Sequence, residues 1–274
     1  MKAFFVNPGE AWNNYHTHTF RCDHASGDVE DYAMRASSLG MSKIGISEHA
    51  WIPGSGNHVF RMQEEAVPDY VRSCRLADGA FGGVKVLCGV ECDYDPSDEE
   101  RIREYYLDRL GLDYLVGSVH ELKNGSDVMD CFSNRHFGVR ELRIYTDLYV
   151  RMIESGLFTF CAHPDLFGRP IELGEDASGW DLNARAAAGE ILEAAREHHT
   201  VLEVNVSGVW KTHHRGHPLV IYPRWQFWEM ASDYSIRVIL NTDAHSPERL
   251  EAFTDYGFDL IRRYGLKRVE LERD

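Results

Sequence analysis

Short and almost continuous apolar runs alternate along the chain with segments in which apolar residues recur every three or four positions. The runs predict strands that are buried on both faces, and the periodic segments predict helices. A first short run ends at His18, and six further strands are expected at 43–49, 84–91, 114–120, 158–163, 201–206 and 237–245. Helices are expected near 28–39, 68–76, 97–111, 139–155, 182–198 and 222–231.

The connecting segments complete this plan. Ser97 and Glu100 have the spacing of a capping box, which predicts that a helix opens there. Loops are expected at 50–62, 121–138, 164–180 and 207–221. Because strands alternate with helices and no linker separates them, we expect a single domain over residues 1–274. Its sheet should be parallel, either closed as an α/β barrel or doubly wound.

Composition and charge narrow the range of partners. Of the 274 residues, 43% are hydrophobic and 27% are charged, the usual balance of a soluble globular protein. The formal net charge of −15 argues against a nucleic acid as the main partner. No apolar stretch approaches the ~20 residues of a membrane span, so we expect a cytoplasmic protein with no membrane partner. Reduced, buried thiols are expected at Cys22, Cys74, Cys88, Cys92, Cys131 and Cys161.

Residue types that bind metal ions stand at or just after the carboxyl ends of six of the seven expected strands. They are His16, His18, His49, Glu91, His120, His163, Asp243 and His245, and His24 follows the first pair. In parallel α/β folds these strand ends line one rim, where binding sites are built. Histidines satisfied within a core would explain one or two such positions but not the whole set. The pattern therefore indicates a metal centre.

The size of the set indicates more than one ion. A catalytic zinc-like ion takes three or four protein ligands, so nine ligands suggest two or three ions. Glu91 is the natural bridge, because a carboxylate has two oxygens while an imidazole serves one ion. Mixed nitrogen and oxygen ligands suit Zn, Mn or Fe. Such a cluster supports hydrolysis, because a coordinated water loses its proton near neutral pH and the ions polarise the group under attack.

The motifs that contain these residues resemble those of a known family. Between residues 15 and 245 the sequence is similar to the PHP (polymerase and histidinol phosphatase) family, and within it to the histidinol-phosphatase type. The matching motifs are His16-Thr17-His18, Asp23-His24, Glu48-His49, Gly89-Val90-Glu91, Gly117-Ser118-Val119-His120, Ala162-His163-Pro164-Asp165 and Asn241-Thr242-Asp243-Ala244-His245. The segment Glu203-Val204-Asn205-Val206-Ser207-Gly208 and the pair Tyr222-Pro223 support that branch.

The resemblance implies a distorted (β/α)7 barrel, similar to a TIM barrel, with a trinuclear metal centre. The resemblance assigns four residues to the first ion, namely His16, His18, Glu91 and Asp243. It assigns Glu91, His120 and His163 to the second ion, and His24, His49 and His245 to the third. In the family, an arginine shortly after the motif that corresponds to His163 binds the phosphate. Arg169 is the candidate for this role here. Arg169, Asp243 and His245 are therefore the expected catalytic residues.

The activity implied by the resemblance is metal-dependent hydrolysis of a small-molecule phosphomonoester, with L-histidinol phosphate as the leading candidate. The alternatives are a phosphoesterase of nucleotides or other phosphomonoesters, C–N bond hydrolysis of the amidohydrolase type, and metal binding without catalysis. Asp165 or Glu48 is a candidate to protonate the leaving group or to meet a substrate ammonium. Candidate pocket residues in the loops are His58, Arg61, Arg135, His136, Arg140, Lys211, His213, His214, Arg215 and His217.

Overall fold

A curled parallel sheet of seven strands forms the centre of the protein. The computed structural model describes residues 12–54, 59–124, 127–132, 137–168, 180, 182–216 and 220–271. The strands are β1 (Lys43–His49), β2 (Lys85–Asp93), β3 (Tyr114–Ser118), β6 (Phe160–Cys161), β7 (Val201–Asn205), β8 (Arg237–Asn241) and β9 (Lys267–Arg268). They pair in that order, and every pairing is parallel. A separate antiparallel hairpin contains β4 (Glu121–Asn124) and β5 (Asp127–Asp130).

The segment that contains His16 and His18 closes the sheet into a barrel. On one side Gly45 N donates to Asn14 O at 2.7 Å and Ser47 N donates to Thr17 O at 3.0 Å. On the other side His18 N donates to Ala244 O at 2.9 Å, just beyond β8. The segment thus lies between the first strand and the end of β8, and the expected distorted (β/α)7 barrel is confirmed.

The expectation that this segment is itself a regular strand is wrong. Only isolated bridges form, between Asn14 and Ile44 and between Thr17 and Ala244. Side-chain oxygens take several of the backbone donors that a ladder would use: Tyr15 N donates to Asn241 Oδ1 at 2.8 Å and Thr17 N to Ser47 Oγ at 3.2 Å.

Helices pack on the outside of the barrel between successive strands. They are α1 (Val29–Ser38), α2 (Val67–Ala77), α3 (Glu99–Ile102), α4 (Val139–Glu154), α5 (Leu182–Glu197), α6 (Ser207–Arg215), α7 (Trp225–Ala231) and α8 (Thr254–Arg263). A π-helical turn, Arg103–Arg109, continues α3. Asp28 caps α1 through a reciprocal capping box with Asp31. Six of these helices lie where the apolar periodicity predicts them.

Three local expectations are wrong. Ser97 does not open a capping box, because its hydroxyl donates to Asp95 Oδ1 at 2.7 Å and Asp98 is the N-cap residue of α3. Residues 121–124 and 127–130 pair as antiparallel strands rather than lying in a loop, with Leu122 paired to Met129 and both buried. Residues 207–215 form α6, because Val209 and Thr212 lie on one buried helix face despite the polar sequence around them.

The interior of the barrel contains its own small apolar core beneath a polar layer. The inner core consists of Tyr15, Leu87, Tyr114, Val116, Phe160, Ala162, Val201 and Ile239. Side chains two apart on a strand share a face, so the next inward positions after Val201 and Ile239 are Glu203 and Asn241. The packed core therefore ends where the polar side chains of the strand ends begin.

The six cysteines are free and buried, as expected. Among the helices of the described ranges, none has both the length and the apolar character that crossing a bilayer requires.

Gly89→Ala tests the packing of the inner core. Gly89 pairs with Tyr114 across β2 and β3, and an added Cβ would lie 2.5 Å from two carbons of the Tyr114 ring. We expect the free energy of unfolding, measured by urea denaturation, to fall by roughly 1–3 kcal/mol, as overpacking usually costs.

Gly189→Ala is the matched control, because it lies within α5 and its added Cβ would meet only Tyr234 Oη, at an ordinary 3.6 Å. It should raise the free energy of unfolding by roughly 0.5–1 kcal/mol. Equal stability of the Gly89→Ala variant and the unsubstituted protein would contradict this description of the core.

Candidate metal centre

The Glu91 carboxylate lies at the middle of a cluster of histidines at the carboxyl end of the barrel. Glu91 is only 2% exposed, and its oxygens face five imidazoles from four other segments of the chain. Oε2 lies 3.4 Å from His16 Nε2, 3.6 Å from His18 Nε2 and 3.0 Å from His49 Nδ1, and Oε1 lies 3.5 Å from His120 Nε2 and 3.2 Å from His163 Nε2.

Asp243, His245 and His24 form another side of the same cluster. Asp243 Oδ1 lies 3.1 Å from His18 Nε2, and His245 Nε2 lies 3.0 Å from His24 Nε2. Ligand atoms of His18, His49 and His245 lie within 4.8 Å of one another. The structure thus brings together all nine residues that the sequence indicates.

Strand geometry explains why these side chains meet. His49 ends β1 and Glu91 lies near the end of β2, and the two residues are register partners. His163 and Asp243 follow their strands in left-handed backbone conformations, with φ of 32° and 48°. Such conformations cost on the order of 1–3 kcal/mol in residues other than glycine and concentrate at functional sites.

Orphaned nitrogen atoms show that the cluster suits metal ions. Within the described part of the chain, His16 Nε2 and both ring nitrogens of His18 are buried and make no hydrogen bond of acceptable geometry, although Asp243 Oδ1 lies 3.1 Å from His18 Nε2 and Glu48 Oε1 lies 3.5 Å from His18 Nδ1. A buried polar atom without a partner costs about 1–3 kcal/mol, whereas coordination to a cation uses the imidazole lone pair. Imidazoles with two carboxylates are also the donor set that Zn, Mn and Fe accept.

The electrostatics of the cluster favour the ligand forms of several groups. Burial alone would raise the pKa of Glu91, but His16 and His120 hold it well below its ordinary value. Lys211 and His16 likewise outweigh burial at Asp243 and hold its pKa well below the usual range. Burial and the charge of His18 lower the pKa of His49 to about 4. Both carboxylates are therefore ionised and His49 is neutral. Nearby carboxylates outweigh burial at His16, His18 and His120 and raise their pKa values, that of His120 to about 9, so metal binding there would displace protons.

Three carboxylates lie beside the outward nitrogens of the histidines. From the sequence we assign no site role to Glu203 or Asp93, and we expect Glu48 to act on the substrate rather than on a histidine. Glu203 Oε1 lies 2.7 Å from His16 Nδ1, Glu48 Oε1 lies 3.5 Å from His18 Nδ1, and Asp93 Oδ1 lies 2.9 Å from His120 Nδ1. A signal was available for Glu203 and Asp93, since each is an acidic residue in step with the inward positions of an otherwise apolar strand. Carboxylates in such positions orient metal-binding imidazoles and raise their basicity.

A cavity of about 650 Å³ opens above the cluster. Its floor includes Glu91 and Asp243, and the aromatic rings of Phe60, Phe132 and Trp210 form part of its walls. Its charged rim residues are Arg61, Glu121, Asp130, Lys211 and Arg249. The cavity can admit a small molecule and bring it directly onto the cluster.

Some of the loop residues that the sequence suggests for the pocket line the cavity, and others do not. Arg61, Lys211 and His214 line the cavity, and Arg61 also pairs with Asp93 at 2.5 Å. Arg140 and His213 are exposed and do not line it. The expected phosphate ligand Arg169 lies outside the described residues, as do His58, Arg135, His136 and His217, and the side chain of Arg215 is not described.

Neither candidate for the leaving-group acid lines the cavity. Glu48 is fully buried behind His18, where its Oε2 accepts from Thr19 N at 2.8 Å. Asp165 is also fully buried, and its Oδ2 accepts a hydrogen bond from Arg224 N. Burial raises the pKa of Asp165 to about 7. Both carboxyl groups support the structure around the site rather than facing a substrate.

Comparison with known proteins agrees with this architecture. A probable histidinol-phosphatase of Deinococcus radiodurans is 28% identical over 241 residues, which are 85% of this chain and 85% of that protein. A probable histidinol-phosphatase of Schizosaccharomyces pombe is 22% identical over 263 residues, covering 86% of this chain and 81% of its own.

A solved structure of similar fold is histidinol phosphate phosphatase from Lactococcus lactis subsp. lactis Il1403, in complex with zinc, L-histidinol and phosphate. It matches with a TM-score of 0.72 and 18% identity, covering 94% of this chain and 95% of that chain. A sequence profile of the PHP domain matches residues 14–207, well over half of the chain. The protein therefore belongs to the PHP domain family.

Proposed function

We propose that this protein is a metal-dependent phosphomonoesterase that hydrolyses L-histidinol phosphate to L-histidinol and phosphate. The observation that carries the proposal is Glu91, which faces five imidazoles on the floor of a cavity large enough for a small substrate. The names of the two relatives and the ligands of the Lactococcus lactis structure support the choice of substrate. The alternative activity, C–N bond hydrolysis of the amidohydrolase type, is less well supported. Amidohydrolases usually have a strand lysine as the bridge between metal ions, and here Glu91 would be that bridge.

The family resemblance supplies the assignment of residues that would hold two or three divalent ions. His16, His18, Glu91 and Asp243 would hold one ion, Glu91 with His120 and His163 a second, and His24, His49 and His245 a third. Glu91 would be shared, which matches its two oxygens facing different histidines. Bound there, divalent ions would supply an activated water and positive charge toward the phosphate oxygens.

The cationic side chains of the cavity would bind the phosphate. Lys211 Nζ lies 3.8 Å from Asp243 Oδ2, at the edge of the cluster, and Arg249 also lines the cavity. A dianionic phosphate over Asp243 would gain charge-assisted hydrogen bonds from both side chains. We also retain Arg169, on the family resemblance, as a candidate ligand of the same group.

The acidic side of the cavity would bind the organic part of the substrate. Glu121 and Asp130 are register partners in the β4–β5 hairpin, and both line the cavity. Like charges directly opposite each other destabilise a strand pair, so a cation between them would relieve their repulsion. L-histidinol carries an ammonium and an imidazole, and Phe60 and Phe132 offer flat apolar surfaces beside them.

The partner and compartment belong to the same proposal. A net charge of −15 supports a small molecule rather than a nucleic acid as the partner. Six free, buried thiols support a reducing cytoplasm, where a biosynthetic phosphatase would meet its substrate.

Phosphate release from a substrate panel tests the assignment of the substrate. We expect L-histidinol phosphate to give the highest kcat/KM when compared with nucleoside monophosphates and p-nitrophenyl phosphate, each with Zn, Mn or Fe. A preference for nucleotides would overturn the choice of substrate but leave a phosphomonoesterase. No metal-dependent phosphate release from any of them would overturn the enzyme class.

His16→Ala tests the metal centre. We expect turnover to fall by more than about 100-fold, since even changes behind a ligand cost about 10–100-fold. Metal content, measured on the purified protein, should fall with it while the far-ultraviolet circular dichroism stays the same. His198→Ala, at an exposed position just after α5, is the control and should change neither quantity. Full activity of the His16→Ala variant would count decisively against the centre.

Glu121→Gln and Asp130→Asn test the acidic wall. Each should raise KM for L-histidinol phosphate by up to about fivefold, the range of an exposed ion pair, with little change in kcat. The KM for p-nitrophenyl phosphate, which has no cationic group, is the internal control and should not rise. An equal rise for both substrates would show that the two carboxylates do not recognise the cation.

A further inference from the structure

Strand β7 supplies no residue of the histidine cluster, yet it places a carboxylate at the base of the cluster. Glu203 lies in the middle of β7 and is fully buried. It does not line the cavity above the cluster, so it does not face a substrate. A buried carboxylate is costly unless its oxygens are satisfied, so the groups around it show what it does.

Four hydrogen-bonding groups surround Glu203. Oε1 lies 2.7 Å from His16 Nδ1 and 3.0 Å from Asn241 Nδ2, and Oε2 lies 3.1 Å from His163 N and 2.8 Å from Asn205 Nδ2. The two amides are fixed in orientation, because Asn241 Oδ1 accepts from Tyr15 N and Asn205 Oδ1 accepts from Ser207 N. Glu203 therefore accepts from two side-chain amides and one backbone N–H, and His16 is the fourth partner.

This environment selects one tautomer of His16. A carboxylate surrounded by donors can only accept, so Nδ1 of His16 carries the proton. The metal-binding, neutral form of the ring would then have its lone pair on Nε2, the atom that points toward Glu91 Oε2 at 3.4 Å and Asp243 Oδ1 at 3.8 Å. Glu203 thus presents the free nitrogen of His16 to the cluster.

The second oxygen of Glu203, Oε2, contacts a different histidine of the cluster, His163. It accepts from the backbone N–H of His163, whose φ of 32° is a strained conformation for a histidine. His16 and His163 approach different oxygens of Glu91, so they belong to the two proposed sites that share this carboxylate. One buried side chain therefore holds one histidine of each site.

We infer that Glu203 is a positioning residue that fixes the tautomer of His16 and the backbone of His163, and so couples the two ion sites that share Glu91. This inference rests on the metal centre of the proposed function. It requires a carboxylate at position 203 and not only a side chain of that size. A glutamine would direct an N–H toward one or more of the four donors and leave buried groups unpaired.

Zinc binding in the absence of substrate tests the inference. We expect Glu203→Gln to bind Zn²⁺ about 10–100-fold more weakly than the unsubstituted protein, measured by competition with a chromogenic chelator. Both of the sites that share Glu91 should weaken together. Glu203→Asp, which keeps the charge but shortens the reach, should recover part of the affinity.

Asp113→Asn is the matched control, because Asp113 is another buried carboxylate in a backbone and arginine network. Its Oδ2 accepts from Cys88 N at 2.8 Å and from Arg75 Nη1 at 2.6 Å. This control should lose stability but bind Zn²⁺ as tightly as the unsubstituted protein. Equal loss of affinity in the Asp113 and Glu203 variants would reduce Glu203 to a structural role and overturn the inference.

The tautomer of His16 can be measured without any substitution. Long-range proton–nitrogen correlation spectra of protein labelled with ¹⁵N at histidine should show His16 protonated at Nδ1, with assignment from the missing signal in His16→Ala. A ring protonated at Nε2 and not at Nδ1 would overturn the inference even if Glu203→Gln does not fold. Unchanged Zn²⁺ affinity in Glu203→Gln would also overturn it and leave the metal centre intact. A parent protein that binds no Zn²⁺ would overturn the centre and the inference together.

Discussion

The attraction between one buried carboxylate and the imidazoles around it is the constraint on which the rest of the site depends. Glu91 is removed from water and faces five histidines within 3.0–3.6 Å. Burying that charge is costly unless cations or donors surround it, and neutral imidazoles alone compensate only in part. Divalent ions held by the carboxylate and the rings would satisfy these groups together. The composition of the cluster is thus itself an argument for metal.

The barrel makes this cluster possible by dividing its interior into two layers. Apolar side chains such as Tyr114 and Phe160 fill the inner core, and glycines at 45 and 89 leave room for the Tyr114 ring. Further along the strands the inward positions change to Glu91 and Glu203. The inner core excludes water from below, so the charges above it interact in a medium of low polarity, where electrostatic attraction is stronger.

Much of this arrangement could be predicted from the sequence, because it depends on local patterns. Apolar runs located the strands, and the parallel fold placed their carboxyl ends, with His49, Glu91 and His120, on one rim. An inward position for Glu203 could be predicted from its strand, but its pairing with His16, 187 positions away, could not, because no local pattern shows which ligand a buried carboxylate supports. The β4–β5 hairpin could not be predicted, because only Leu122 and Met129 mark its buried face, too few for a periodic signal.

The closure of the barrel has a consequence for the whole chain. The segment around His16 and His18 pairs with Ala244 through isolated bridges, and His24 and His245 meet with Nε2 atoms 3.0 Å apart across 221 positions of sequence. An ion held by residues from both regions would cross-link the first and last segments of the barrel. It would close a loop that contains nearly every strand and helix, and closing so long a loop restricts the unfolded chain strongly. The metal centre that we propose for catalysis would then also stabilise the closed barrel against unfolding.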